Sequence, residues 1–435
     1  MVAMLSVVFV AGLTLYFACR WQDDFRVYLA GAHDLFNGTL YSRWTHQELF
    51  TYPPFAALVF VPLGVIPNPT AAQVVWAILN DTALFCLLAL SIRAARPSLP
   101  RPKRWIWAAC LATPALLLDP VLLSARHGQI NVLLVVLVVW DLTGSRRIGR
   151  RTVPLGAGTG IAAAIKLTPL IFLPYLLLTR RFRAAATCAT TFVLCEGVAF
   201  ATSPSSSVVY WTHYVFDYQR IGGNLHFGGL LATTDQNLMS ALARLAHHRV
   251  SSGVLCATTV LVVAAGLALA TLVHRRWSQS LGVLVCAVTG LIVSPVTWTH
   301  HMVWIVPTVV WLAAAAERPR FGRALAIGTA VLFWAAPIWW VPSENDLHER
   351  LWQVLAGNSF FLWMVLFLVL VAGVMALDTT GLRRAHGGRL EPAVFAPTSP
   401  RLFVRDPFEE TIAQSTAGQD VIANGIAKAV EDLLG

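Results

Sequence analysis

The chain has 435 residues, of which 57% are hydrophobic and only 12% charged, with a formal net charge of +10. A soluble globular protein carries about 25% charged residues, so the composition excludes that class and describes a membrane protein. Nor does the basic excess form a nucleic-acid patch. It falls in short clusters between apolar stretches, as at Arg93, Arg96, Arg101, Lys103 and Arg104, a placement that reports topology.

In chain order, residues 1–19 read as a retained first span. No basic n-region precedes the apolar stretch and no small-x-small cleavage site follows it. The span lacks cytoplasmic flanking residues, which leaves open a natural start upstream. With about 20 apolar residues needed per crossing, fewer where a helix is partly buried in protein, eleven further spans follow. They are 71–92, 105–118, 129–142, 153–165, 167–179, 184–202, 252–273, 279–294, 300–316, 322–341 and 359–377.

With the N-terminus inside, the inner segments carry 20 Lys and Arg, and the longer outer segments carry 9. That asymmetry follows the positive-inside rule. Reading 153–179 as one span would invert every later loop. The expectation is an all-α polytopic membrane protein of about twelve transmembrane helices, with a transmembrane domain 1–377 and outer loops 20–70 and 203–251. Both ends lie in the cytoplasm, in the plasma membrane. Residues 378–435 form a cytoplasmic tail in which 408–434 has the apolar spacing of an amphipathic helix. Seven scattered cysteines show no CxxC or Cys/His zinc spacing.

This topology puts the unusual polar groups on the outer face. Asp23, Asp24, Arg26 and Tyr28 follow the first span, and Tyr52 stands where the chain re-enters the membrane. Arg126-His127-Gly128-Gln129-Ile130-Asn131 lies between spans three and four, and Lys166 lies at the tip between spans five and six. Asp235 is in the large middle loop, and Trp298, His300 and His301 open span ten. Singly, each has a plain structural reading: a helix cap, an interhelical hydrogen bond, a wet helix start. Lys166 resists it, because a lysine among apolar residues is costly unless it snorkels or meets an anion.

Together the set suits glycosyl transfer from a lipid phosphate. A carboxylate can take the proton of an acceptor hydroxyl. Lys, His and Arg can hold a phosphate as its charge grows. Tyr28, Tyr52 and Trp298 can stack on sugar rings. No GxGxxG or GxxxxGK[ST] fingerprint is present, and a sugar carried on a lipid phosphate needs neither.

Asp24-Phe25-Arg26-Val27-Tyr28, Gly31-Ala32, Gly38-Thr39-Leu40-Tyr41 and Phe50-Thr51-Tyr52-Pro53-Pro54 resemble the first outer loop of glycosyltransferase family 87. His127-Gly128-Gln129-Ile130-Asn131, Ile165-Lys166-Leu167-Thr168-Pro169 and Ser294-Pro295-Val296-Thr297-Trp298-Thr299-His300-His301 resemble its later motifs, in the same order. The resemblance implies a GT-C type membrane enzyme. Actinobacterial members transfer mannose from polyprenyl-phosphate mannose to mannoside glycolipids such as phosphatidylinositol mannosides or lipomannan, in α-(1→2) linkage.

It also implies Asp24 as the catalytic base, since the D-x-x-V-Y pattern starts there. His300 or His301 matches the family's donor-phosphate histidine, with His301 favoured. The expected site has Lys166, His301, His300, Arg126 and His127 on the donor phosphate. Asp23, Tyr28, Tyr52, Gln129, Asn131, Asp235 and Trp298 contact sugar or acceptor. Asp235-Gln236-Asn237-Leu238 departs from the family's Asn-Gln-Ser-Leu, which bears on acceptor identity. The expectation includes no cofactor and no metal site, although Asp23-Asp24 leaves divalent metal dependence open. The expected partners are a lipid-linked sugar donor, a mannoside glycolipid acceptor and the membrane, without nucleic acid. The rival readings are a sugar or lipid flippase and a transferase using polyprenyl-phosphate arabinose.

Overall fold

In a computed structural model of the chain the described residues are 1–42, 44–45, 48–143, 147–148, 151–217, 232–247, 250–315, 320–341 and 350–379. The proposed amphipathic segment 408–434 lies outside them. The described residues are almost entirely helical. The exceptions are two minimal antiparallel hairpins, β1 (Trp44–Thr45) with β2 (Glu48–Leu49) and β3 (Arg147–Ile148) with β4 (Arg151–Thr152).

The chain opens with α1 (Val2–Arg20), an apolar helix that reaches its first charge at its last residue. The segment after α1, expected as an outer loop, is itself helical, with α2 (Asp23–Asp34) and α3 (Pro54–Gly64) packed together. Next comes α4 (Pro69–Ala95). Its start is fixed by Asn68, whose side chain accepts from the Thr70 and Ala71 amides, with Pro69 in the first turn. Helix α5 (Arg101–Leu116) meets α6 (Asp119–His127) at a bend of 84°. Residues 119–128, expected as a short loop, therefore form a helix, Asp119–His127, turned sharply away from α5.

Helix α7 (Asn131–Thr143) leads through β3 and β4 to α8 (Ala157–Ile165). A 3-10 turn (Thr168–Ile171) and α9 (Phe172–Leu178) follow. Helices α10 (Phe182–Thr202), α11 (Pro204–Val209) and α12 (Leu238–Ala246) lead to the antiparallel pair α13 (Ser252–Arg276) and α14 (Gln279–Val293). A second 3-10 turn (Thr299–Trp304) feeds α15 (Ile305–Ala315), and α16 (Arg320–Ala335), α17 (Leu351–Gly357) and α18 (Ser359–Thr379) complete the described chain.

Among the described residues, six helices are long and apolar enough to cross a membrane. They are α1, α4, α10, α13, the run Gly322–Trp340 and α18, and the bent α5–α6 pair would make a seventh if it is one span. This is a multi-pass membrane protein. A count of twelve crossings is not shown, because α7, α8, α9, α14 and α15 are 7 to 15 residues long. At 1.5 Å per residue the longest of these rises about 22 Å, short of a bilayer core of about 30 Å. Several of the short helices are inner ones: α14 is buried over nearly its whole length, whereas α13 presents most of its surface outward.

One end of the bundle gathers basic helix ends. Arg93 donates to the Thr143 carbonyl at 3.1 Å, and Arg275 donates to the Leu178 carbonyl at 2.6 Å. Gln279 bonds the Leu142 carbonyl beside them. Helix α7 runs from this end to Asn131 at the other, where the acidic and histidine motifs meet.

Candidate active site

Five chain segments build the site, and local chemistry explains how each is aimed. Asp23 and Asp24 occupy the first turn of α2, where a carboxylate meets the unpaired amides and positive end of the helix. The preceding Gln22 takes a left-handed conformation (φ 68°), and its amide donates to the Arg126 carbonyl at 3.0 Å. The start of α2 is thereby tied to the end of α6.

That end is closed by Gly128 (φ 67°). The Gln129 amide bonds the Ser124 carbonyl and the Gly128 amide bonds the Ala125 carbonyl, the paired bonds of a glycine-terminated helix. A Cβ on Gly128 would lie 2.8 Å from the Cβ of Phe25. Glycine is required twice over, for its φ and for the close approach of α2. The Trp76 indole N–H donates to the Gly128 carbonyl at 2.7 Å, and its ring stacks on Phe25 at 5.3 Å. Sequence reasoning overlooked Trp76. A tryptophan inside a predicted membrane span was the signal for it, because a buried indole N–H needs an acceptor.

The result is one continuous polar chain. Gln129 Nε2 donates to Asp24 Oδ2 at 2.6 Å. Gln129 Oε1 accepts from the Tyr28 hydroxyl at 2.8 Å and from Asn131 Nδ2 at 3.3 Å, with the Tyr52 hydroxyl at 3.4 Å. Asn131 Nδ2 also donates to the His300 carbonyl at 2.9 Å, and its Oδ1 accepts from Lys166 Nζ at 3.1 Å. Lys166 Nζ lies 2.9 Å from His301 Nε2 and 5.3 Å from the Tyr52 ring centroid. The His127, His300 and His301 rings follow one another at 5.8 and 4.7 Å. Burial pushes the Lys166 ammonium down to about 7, against the pull of Asp24, which favours its charged form. Burial, Tyr52 and Asp24 together push the Tyr28 phenol well up, so it is a neutral donor.

Lys166 is delivered by the extended residue that ends α8. Asp141 fixes the far end of that helix, its carboxylate accepting from the Gly156 and Thr159 amides and the Thr159 hydroxyl at 2.7–3.1 Å. Sequence reasoning also missed Asp141; a carboxylate within the apolar run 129–142 was its signal.

Several expected site residues sit elsewhere. Asp23 pairs with Arg26 at 3.7 Å on the open edge of α2. Arg126 is exposed, its guanidinium 5.0 Å from the Trp21 ring. Asp235 is fully buried. Its carboxylate accepts from the Thr297 amide at 2.8 Å, the Ser240 hydroxyl at 3.2 Å and Asn237 Nδ2 at 3.3 Å. Two backbone bonds, Gln236 to Thr297 and Thr299 to Thr234, lock the same turn. Asp235 thus anchors the turn that presents His300 and His301, and Trp298 is half-buried at its backbone bridge to Asp235. Burial raises the Asp235 carboxyl to about 7, against the bond from Thr297 and the charge of Arg244.

Beside Lys166 and His301 opens a cavity of about 530 Å³, counting its mouth. Asn131, Lys166 and His301 line it together with Thr168, Ser294 and Thr297, and most of the remaining lining is apolar, among it Leu134, Val138, Phe172 and Leu291. Among the described residues, no group of three or more His, Cys, Asp or Glu is arranged to hold a metal ion.

Comparison with known proteins follows the same lines. The model of glycosyltransferase family 87 matches residues 50–295. A polyprenol-phosphate-mannose-dependent alpha-(1-2)-phosphatidylinositol mannoside mannosyltransferase of Mycolicibacterium smegmatis is 33% identical over 389 residues, 83% of this chain and 84% of the relative. The Mycobacterium tuberculosis protein of the same description is 34% identical over 391 residues, 86% of this chain and 88% of its own. A polyprenol-phosphate-mannose-dependent alpha-(1-2)-phosphatidylinositol pentamannoside mannosyltransferase of M. tuberculosis is 31% identical over 370 residues, 82% and 80% of the two chains. No solved structure matches the chain significantly. The family model covers more than half of the sequence, including the His127–Asn131 and Lys166 motifs on which the polar chain is built, and the chain belongs to glycosyltransferase family 87.

Proposed function

We propose that this glycosyltransferase is an inverting, α-(1→2)-specific mannosyltransferase. It takes mannose from polyprenol-phosphate mannose and delivers it to a phosphatidylinositol mannoside type of acceptor. The observation that carries the reading is the polar chain from Asp24 through Gln129 and Asn131 to Lys166 and His301. It sets a carboxylate base and a phosphate-holding cluster at opposite ends of one hydrogen-bonded path, beside a cavity whose lining is mostly apolar.

The reaction is a single displacement. Asp24 accepts the proton of the acceptor hydroxyl as that oxygen attacks the anomeric carbon of the donor. The new C–O bond forms as the bond to the phosphate oxygen breaks, and polyprenyl phosphate leaves. Lys166 and His301 lie where the growing charge on that phosphate would be held. A phosphate is a competent leaving group, so no general acid is needed. The apolar part of the cavity suits the first isoprenoid carbons of the donor. A transporter would carry its polar site near the bilayer midplane between repeats, whereas here the polar chain lies at one end of α7.

The same proposal puts the site on the outer face of the plasma membrane and both termini in the cytoplasm. The basic helix ends at Arg93 and Arg275 would then face inward, as the positive-inside rule requires. Twelve crossings fit this orientation if the short inner helices cross sheathed by their longer neighbours.

The test is Asp24→Asn in folded enzyme, with labelled polyprenol-phosphate mannose and a phosphatidylinositol mannoside. Transfer is expected to fall by at least about a hundredfold, the lower range for general-base catalysis. Transfer near the wild-type rate removes Asp24 as the base. Movement of label across vesicles without a new glycosidic bond replaces the enzyme with a transporter.

A further inference from the structure

Gln129 and Asn131 are 4% and 5% exposed. Their amides can each be oriented in only one way. Asp24 Oδ2 is an acceptor, so it must face the Gln129 NH2 group. The His300 carbonyl is an acceptor, so it must face the Asn131 NH2 group, and the Lys166 ammonium has only donors, so it must face the Asn131 oxygen. Asn131 Nδ2 then has no choice but to donate to Gln129 Oε1. Turning either amide over would set acceptor against acceptor at Asp24 or donor against donor at Lys166.

The donors therefore run in one direction, from Lys166 through Asn131 and Gln129 to Asp24. The cation and the carboxylate terminate a line of two aligned amide dipoles. Gln129 Oε1 already accepts from Tyr28 at 2.8 Å and from Asn131 at 3.3 Å, with Tyr52 at 3.4 Å. A carbonyl oxygen so surrounded, on a nearly buried side chain, is poorly placed to contact an acceptor sugar.

We infer that Gln129 is a positioning residue for the Asp24 carboxylate, not a sugar ligand, with Asn131 fixing its direction and tying the base to the phosphate-binding lysine. The inference rests on the reading of Asp24 as the base. Tyr28 braces Gln129 from α2, one helical turn beyond Asp24, so base and brace move as one rigid element. The Gly128 turn and the tie from Gln22 to Arg126 bring Gln129 to that helix, which gives the His-Gly-Gln-Ile-Asn segment a role in aiming the base.

The decisive variants are Gln129→Met and Gln129→Glu in the full-length enzyme. Methionine keeps the volume and loses the donor. Glutamate sets a second carboxylate against Asp24, and two carboxylates that close share a proton and titrate as a pair. The other titratable groups around this pair are Tyr28, Tyr52, Lys166, His127, His300 and His301, together with Asp23 and Arg26 at the open edge of α2, and all are unchanged in the variants.

Gln129→Met is expected to lower kcat by about tenfold or more, with donor KM within about twofold of wild type. Gln129→Glu is expected to move the acid limb of the pH–rate profile up by about one pH unit or more. A merely structural glutamine would move thermal stability and leave the limb in place. The inference is overturned if Asp24→Asn is inactive while Gln129→Glu keeps the wild-type limb, or if Gln129→Met keeps the wild-type kcat. If Asp24→Asn is active, the underlying assignment of the base fails instead. Should Gln129→Glu not fold, Tyr28→Phe reads the same brace. It removes one donor from Gln129 and is expected to lower kcat with donor KM unchanged; an unchanged kcat overturns the inference.

Discussion

Replacing Lys166 with methionine removes the charge and keeps most of the side-chain length, so it isolates the phosphate role proposed for the ammonium. A hydrogen bond to a charged group contributes about 1.5–3 kcal/mol. At about 1.4 kcal/mol per factor of ten, kcat/KM for the donor should fall by about 10- to 150-fold. The pH dependence gives a second signature. Burial lowers the Lys166 ammonium to about 7, and kcat/KM reports groups of the free enzyme. The wild-type value should therefore fall as pH rises above about 7, and that limb should be absent in Lys166→Met.

Stability should move in the other direction. The folded value lies below the usual 10.5 of lysine, so the unfolded chain holds this proton more tightly. The contribution of Lys166 to stability is least favourable below about pH 7 and recovers as pH rises from there toward the unfolded value. Lys166→Met should therefore raise Tm at pH 6 and lose that advantage at alkaline pH. The assay is initial-rate transfer from labelled donor across pH 5.5 to 9, with thermal melts of the same preparations. The reasoning is refuted by a variant whose donor kcat/KM stays within twofold of wild type, or by one that retains the basic limb.

Two further predictions concern the scaffold. Gly128→Val demands a left-handed backbone from a β-branched residue and forces a Cβ to within 2.8 Å of Phe25. Loss of folded protein in size-exclusion profiles is expected, and a fully active, stable variant would remove the glycine argument. Asp235→Ala strips the acceptor from Thr297, Asn237 and Ser240. It is expected to cost about 3 kcal/mol, since a buried unsatisfied group costs about 1–3 kcal/mol. Donor KM should rise because the His300–His301 turn loosens. Because the folded Asp235 carboxyl is raised to about 7, its stabilising contribution is greatest below the unfolded value and declines as pH rises to 7. Asp235→Asn should flatten the Tm profile over that interval, and an unchanged slope would contradict the burial.

The boundary between what was legible in the sequence and what was not can be drawn residue by residue. Asp24, Lys166 and His301 were legible as candidates. Each is a charged or titratable residue beside an apolar run, where its energetic cost marks it out, and each sits in a recognisable motif. Gln129 and Asn131 were legible as polar and motif-borne, but the hydrogen-bonded line they form was not. Their partners lie 105 and 35 residues away, at Asp24 and Lys166. Asp235 was also expected on the sugar. Its bond to Thr297 spans 62 residues, and nothing local distinguishes a buried clamp from an exposed loop carboxylate.

The amino-acid sequence by itself determined that this is a helical membrane protein, that its basic and acidic groups segregate, and which motifs are candidates for the site. Hydropathy and charge are sums over local composition, and a bilayer reads them directly. Only the tertiary structure decided that the segment after the first helix holds two packed helices, and that several expected crossings are short inner helices shielded by longer ones. It also decided that Asp24 and the Lys166–His301 pair are joined by one directed line of amides. Helix length in lipid depends on what a helix packs against. The orientation of an amide depends on which groups, distant in the chain, are brought to its two ends.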